Sequence, residues 1–409
     1  MSDNRTSLPI PPQSALARSA RLLARLRAAL HAAGGWLAFD AYMQQALYAP
    51  ELGYYTGQAG QFGDFGGSSD FVTAPELSPL FGRALATQVA QAMDLAGTRR
   101  VVEFGAGSGA LAAQILDELA RQDQAPHEYV IVELSGALKH RQIETLKARV
   151  PELVGRVRWW TTLPETFDAV VIGNEVLDAI PVKLLVRGES GWLERGIGQD
   201  GDDLVFADRP TTLAPPQPEA DALPVGSVTE IHPQALAFVR TLADRLSRGV
   251  ALFVDYGFPQ HEYYHPQRHM GTLRAHYRHR ALDDVLLWPG LADITAHVDF
   301  TAVALAAQDA GLDVLGYTSQ ANFLLNCGIL DILAQDVAEG SVPPPPESTA
   351  AICAALGATG SSLYLRQSAA VNKLLGESEM GELFKVIALG RSVTAPLLGF
   401  ARGDRTRTL

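Results

Sequence analysis

Short apolar runs alternate with longer amphipathic stretches through the middle of the chain, and the alternation predicts a parallel sheet. "RRVVEFGAGSG" reads as a strand entering a glycine turn, and "ALAAQILDELARQ" as an amphipathic helix after it. "EYVIVELS" and "GALKHRQIETLKARV" repeat that pair. "VRWWTTL" predicts a short third strand and "FDAVVIGNE" a fourth. "SVTEIHPQALAFVRTLADRLSRG" predicts a helix leading into a fifth strand, "VALFVDYG". Near the end, "DFTAVALAAQDAG" reads as a helix and "LDVLGYTS" as a strand. "FKVIALGR" (Phe384 to Arg391) is a last strand with no helix to carry it across, so it is expected to insert antiparallel beside its predecessor. Strands separated by helices of this length predict a doubly wound α/β fold.

Three stretches break the alternation. Residues 181–228 are polar and read as hairpins. Residues 257–297 are rich in His, Tyr and Arg, and residues 320–381 are mainly helical with a proline run, "VPPPPES". The expected organisation is a helical and glycine-rich N-terminal cover over 1–95. A core follows over 96–319 and 382–395, with insertions at 181–228 and 257–297, and then a helical insertion over 320–381. Seven glycines between Gly53 and Gly82 make that segment too flexible for regular structure, and it is expected to cover the active site.

Composition narrows the class. The chain has 409 residues and a net charge of -12, against a binder with a wide basic face for nucleic acid. Its two cysteines exclude a disulfide framework, and without a CxxC no structural zinc site is expected. No run of about 18 apolar residues suggests a membrane span. Ser14 to Leu30 predicts an amphipathic Arg-rich helix docked by Leu22, Leu23, Leu26 and Leu30. Asp3 and "LPIPP" count against a mitochondrial presequence, so a bacterial cytoplasmic protein is expected, or a matrix protein if eukaryotic.

The glycine turn carries the first chemistry. Gly105, Gly107 and Gly109 let backbone N–H groups approach a ligand, and the helix behind them presents its positive end. The pattern also fits a dinucleotide fingerprint, since Ala110 can take the last glycine's place. Glu133, ending the second strand, is suited to the two ribose hydroxyls of an adenosine. That leaves both NAD and S-adenosylmethionine open. Glu103, two residues before the turn, would repel a pyrophosphate and favours the cationic S-adenosylmethionine.

The fourth strand ends in "GNEVLDAIPV", placing Asn174, Glu175 and Asp178 where a buried strand emerges. In a doubly wound sheet these residues and Asp255-Tyr256 should converge on one ligand-binding edge. Glu175 and Asp178 are the expected catalytic acids at that edge, with Asp255 beside them lining the substrate pocket. His261, His265 and His269 are spaced by four, but Pro266 interrupts a helix there, and no metal is expected. Arg278 and Arg280 are expected to pair with Asp283 and Asp284, or to form a cationic lid.

Together these residues resemble a class I S-adenosylmethionine-dependent methyltransferase. "APELSPLFG", "GNEVLDAIPV", "VDYG", "HMGTLRAHYRHR", "DITAHVDFTA" and "SQANFLL" resemble the MidA-like family more narrowly, from about Tyr42 to Arg391. The resemblance implies a Rossmann-like seven-stranded sheet with the last strand antiparallel, plus N-terminal and inserted mainly helical segments. It implies S-adenosyl-L-methionine as cofactor, held by Glu103, Gly105, Ala106, Gly107, Ser108, Gly109, Glu133, Leu134 and Asn174. For the mitochondrial members it implies a protein-arginine methyltransferase active in complex I assembly. A protein substrate is therefore expected, with no nucleic acid or membrane partner, and a homodimer is plausible. A small-molecule methyltransferase, or an assembly factor that binds cofactor with little catalysis, are the competing readings, with a NAD-dependent dehydrogenase behind them.

Overall fold

The structure is a computed structural model that describes residues 8–57, 73–216, 218–278, 280–282, 284–338 and 360–409. Most of the glycine-rich cover, the proline run and Asp283 lie outside these residues. The N-terminal part supplies α1 (Gln13–Ala32), β1 (Leu37–Ala38), α2 (Phe39–Tyr48), α3 (Ala74–Leu77) and α4 (Pro79–Ala96). Thirteen of the 18 residues of α4 are buried, which makes it a core helix rather than a surface one. Ser78 caps it by accepting the Leu80 N–H at 3.2 Å, and Gly97 ends it in the left-handed region. Although the sequence places α4 before the expected boundary at residue 95, it packs directly on the central sheet.

That sheet contains β2 (Arg100–Phe104), β3 (Glu128–Val132), β4 (Val157–Trp160) and β5 (Phe167–Asn174) from the alternating region, with α5 (Ala110–Arg121) and α6 (Gly136–Arg149) between them. Next come the inserted strands β6 (Lys183–Gly188), β7 (Gly191–Asp200), β8 (Asp203–Pro210) and β9 (Val228–Ile231). The main sheet resumes with α7 (Pro233–Arg245) and β10 (Leu246–Phe258). A second insertion holds α8 (Gln260–Tyr263), β11 (Arg274–Tyr277), β12 (Arg280–Leu282) and β13 (Asp293–Thr295). The chain then runs through β14 (Val298–Asp299), α9 (Phe300–Asp309), β15 (Asp313–Ser319), α10 (Gln320–Asn326), α11 (Ile329–Ala338), α12 (Gly360–Leu375), α13 (Met380–Leu383) and β16 (Phe384–Arg391).

The main order is β15-β16-β10-β5-β2-β3-β4, with β14 added beside the end of β10. The five strands from β10 to β4 form four parallel pairs, and β16 runs antiparallel between β10 and β15. This is the class I methyltransferase sheet that the sequence implies. Val101, Val170 and Ile172 face α4 and α5, whereas Val102, Val171 and Phe253 face α7 and α9. Strands buried on both faces need apolar side chains throughout, which explains their continuous hydrophobic runs.

The 181–228 insertion, read from sequence as hairpins, is an antiparallel sheet of order β1-β7-β6-β9 with β8 paired to β7. β1 comes from the N-terminal segment, with Leu37 opposite Ile197. Leu22, Phe39 and Tyr42 share a core with Leu184, Ile197, Ala275 and Ile294. Three segments far apart in sequence thus build one accessory module. Among the described residues, no helix is long and apolar enough to cross a membrane.

A buried ion cluster joins the helical layer to the core. Arg83 on α4 bonds Glu118 on α5 at 2.6 Å and Asp336 on α11 at 2.6 and 2.7 Å. Removing the cation leaves two buried carboxylates facing each other. Arg83→Met is expected to cost about 3 kcal/mol in denaturant unfolding. Adding Glu118→Gln and Asp336→Asn to it should recover much of the loss.

Candidate active site

The glycine turn forms as its composition requires. Gly105, Gly107 and Gly109 all have positive φ, at 66°, 50° and 85°. A side chain at Gly107 would meet nothing within 4 Å, so this backbone faces open space. One at Gly105 would sit 2.8 Å from Val176, so the glycine also lets the end of β5 pack against the turn. Ala106 is buried, and its carbonyl accepts the Gly109 N–H at 2.7 Å. The Ser108 hydroxyl donates to Glu76 of α3, while its oxygen accepts the Ala110 N–H at 3.2 Å. The "APEL" segment is therefore tied to the turn.

Glu103 and Glu133 flank this turn differently. Glu103 is 1% exposed, and the Tyr129 hydroxyl donates to it at 2.7 Å. Burial, opposed by that hydrogen bond, pushes its pKa up to about 7. Glu133 is partly open. It accepts the Ser135 N–H at 2.8 Å and the Gln142 amide at 3.1 Å. Leu134 beside it is 80% exposed, an apolar surface of the kind that a planar base can cover.

The end of β5 is the most constrained part of the site. Glu175 adopts a φ of 53°, unusual for a residue with a Cβ. Its N–H donates to Val254 O at 2.9 Å, extending the β5–β10 pairing by one residue. Its carboxylate accepts the Asn174 amide at 3.1 Å and a hydrogen bond from the Ala74 backbone. Burial, then the charge of Asp178, pushes the Glu175 pKa up to about 8. Asp178 is also raised, by burial first and then by Asp255, and it accepts a hydrogen bond from the Tyr256 hydroxyl. Among the described residues, the buried Oδ1 atoms of Asn174 and Asp178 have no hydrogen-bond partner.

Asp255, expected among the catalytic acids, is committed to backbone instead. One carboxylate oxygen accepts the N–H groups of Val176 at 3.1 Å, Leu177 at 2.8 Å and Asp178 at 3.4 Å, and the other accepts Tyr256 N–H at 3.0 Å. Burial and then Glu175 push its pKa up to about 8, against the pull of these donors. Asp255 holds the Glu175 turn in place.

The accessory module adds residues that sequence reasoning missed. Tyr55 donates to Asp293 at 2.7 Å and stacks on Tyr48 with ring centroids 5.3 Å apart. Tyr48 donates to Ala179 O at 2.9 Å. Asp293 lies within electrostatic reach of Glu175, Asp178 and both tyrosines. The "ALYAPELGYY" aromatics and the acid of "DITAHVD" were the available signals. The three histidines spaced by four do not share a helix: His261 is on α8, whereas His265 accepts the Gln267 N–H at 3.3 Å as the cap of a separate turn.

The family model described as "Putative S-adenosyl-L-methionine-dependent methyltransferase" matches residues 83–318. The chain is similar to "Protein arginine methyltransferase NDUFAF7, mitochondrial" of Homo sapiens, 31% identical over 70% of this chain and 69% of that protein. The Danio rerio protein of the same name is 30% identical over 73% of this chain and 74% of its own length. A crystal structure from Burkholderia thailandensis bound to S-adenosyl-homocysteine has a TM-score of 0.89 at 52% identity, covering 98% of this chain and 100% of that one. This chain belongs to the MidA-like family.

It is an S-adenosylmethionine-dependent methyltransferase, and the site fits that cofactor on its own geometry. The open backbone at Gly107 admits a ligand. The orphaned Asn174 Oδ1 can accept from an ammonium, and Glu133 beside exposed Leu134 suits a ribose and base. Gly105 to Gly109, Glu133, Leu134 and Asn174 are the residues that would hold it. When bound, the cofactor supplies an electrophilic methyl group on a sulfonium. Glu103, 1% exposed and hydrogen-bonded to Tyr129, stands at the end of β2 two residues before the turn.

The role of Asp255 in this MidA-like site is testable. Asp255→Ala orphans buried N–H groups at the turn, so it is expected to cost about 2 kcal/mol and to lower the Tm together with transfer. Asp255→Asn keeps one acceptor oxygen and should retain substantially more of both. Full stability with abolished transfer in the Asn variant would make Asp255 a direct participant.

Proposed function

We propose that this protein methylates an arginine side chain of a protein acceptor. The observation that carries the reading is a group of acids at the edge where the methyl is delivered. Glu175 and Asp178 have no ion pair with Lys or Arg among the described residues, and Asp293 joins them in an aromatic surround of Tyr48, Tyr55 and Tyr256. Acids such as Glu175 and Asp178, without a Lys or Arg partner among the described residues, favour a cationic guest, and aromatic faces add attraction for a guanidinium. The planar fork of arginine matches Glu175, which would leave one guanidinium nitrogen directed at the methyl. The names of the mitochondrial relatives support the same acceptor. The chain's net charge of -12 favours encounter with a basic protein segment.

Methylation of a lysate with labelled cofactor, read by mass spectrometry, tests this. Glu175→Gln is expected to lower transfer at least 100-fold while the Kd for S-adenosyl-homocysteine changes less than about threefold. Undiminished transfer by the variant would remove Glu175 from the mechanism. Labelled products that contain no methylarginine would instead point to another acceptor.

The sign of the pH effect follows from the raised pKa of Glu175. A carboxyl whose folded pKa exceeds its unfolded value near 4.5 contributes stability below that value and loses it as pH rises through about 8. The ligand-free protein should therefore lose Tm across this window more steeply than Glu175→Gln. An arriving guanidinium favours the ionised form. Calorimetric binding of an arginine peptide should then release protons below pH 8, and this release should shrink in the variant.

A further inference from the structure

We propose that Gln142 is the positioning residue that orients the Glu133 carboxylate toward the ribose of the cofactor. The inference rests on the side chains around Glu133 and is independent of the acceptor. Gln142 is fully buried on α6, a helix that is otherwise mostly polar, and its amide touches three separate elements. Its Oε1 accepts the Trp159 indole N–H at 2.9 Å. Its Nε2 lies 3.1 Å from Glu133 Oε2 and 3.2 Å from Gly107 O.

Chemistry fixes which way this amide points. An indole nitrogen can only donate, so the Gln142 oxygen must face Trp159. Both amide hydrogens are then directed to the Glu133 carboxylate and the Gly107 carbonyl. The opposite rotamer would set N–H against N–H at Trp159 and oxygen against oxygen at Glu133. Ser135 N–H holds the other Glu133 oxygen at 2.8 Å, so the carboxylate is fixed at both ends. Its remaining lone pairs are left for a vicinal diol. Gly109 leaves room for this contact, since a Cβ there would come within 3.2 Å of Gln142 Cα. Gln142 thereby joins the glycine turn to the strand-end acid, and Trp159 on β4 sets its orientation.

Calorimetry with S-adenosyl-homocysteine and its 2′-deoxy and 3′-deoxy counterparts tests the proposal in the absence of turnover. Gln142→Leu is expected to weaken S-adenosyl-homocysteine binding by about ten- to a hundredfold. The same change should cost the deoxy ligands only about twofold, because the diol contact is already reduced. Trp159→Phe frees the amide to turn and should weaken the parent ligand in the same direction by a smaller factor. The pH of half-lost binding on acidification should rise in Gln142→Leu, since an N–H donated to a carboxylate favours its ionised form. Unchanged affinity in Gln142→Leu overturns the proposal. Equal losses for parent and deoxy ligands also overturn it, because Gln142 would then act through the fold alone. Should Gln142→Leu fail to fold, unchanged affinity in Trp159→Phe overturns it by itself.

Discussion

The acceptor side of the site depends on one buried carboxylate and the backbone it holds. Asp255 ends the apolar run of β10, where Val254 is paired with Asn174 of β5. One of its oxygens gathers the N–H groups of Val176, Leu177 and Asp178, which would otherwise be orphaned as β5 stops. That gathering makes the sharp exit from the sheet possible and keeps Glu175 at a positive φ. A residue with a Cβ is held in such a conformation only when its surroundings over-determine it. Here the surroundings are Asp255 on one side and the Glu175 N–H to Val254 carbonyl bond on the other.

The same arrangement accumulates negative charge. Glu175, Asp178 and Asp255 lie close together, and the first two have no ion pair with a cation among the described residues. Burial and mutual repulsion raise all three pKa values, so the unliganded site carries fewer charges than its formula suggests. The accessory module then closes the region with Tyr48, Tyr55 and Asp293. Its core combines N-terminal helices with strands from both insertions, so these side chains are held by a packed unit. The segments interrupting the methyltransferase sheet therefore pack beside the acids at the end of β5.

The central sheet was legible because its strands are buried on both faces and separated by amphipathic helices. The sequence pattern delimits β16 at its observed limits, Phe384 to Arg391, for the same reason. β9 merges in the sequence pattern with the helix that follows it. It has four residues, and its buried side chains include Thr229 and Glu230 rather than an apolar pair. Pro233 at the first turn of α7 was the boundary signal that distinguished the two. At the site, the glycine turn, Glu133 and the β5 acids announced themselves by motif and by position at strand ends. Gln142, Tyr48, Tyr55 and Asp293 did not, because their roles arise from tertiary contacts between segments distant in sequence. Asp255 had the opposite problem: its strand-end position suggested chemistry, but its hydrogen bonds are all local architecture.

Two cations must meet in the proposed reaction, the sulfonium of the cofactor and the guanidinium of the acceptor. Unit charges of the same sign 4 Å apart repel by about 4 kcal/mol at an effective dielectric of about 20. Without compensating charge, a bound cofactor would therefore exclude its own acceptor. Carboxylates at the end of β5 offset that repulsion without competing for the methyl, provided they grip the guanidinium through its hydrogens. The raised pKa of Glu175 fits this sequence of events. The acid is largely neutral while the pocket is empty and becomes charged as positive partners arrive. The stability lost by crowding acids at one strand end is thus recovered when the two cations occupy the site together.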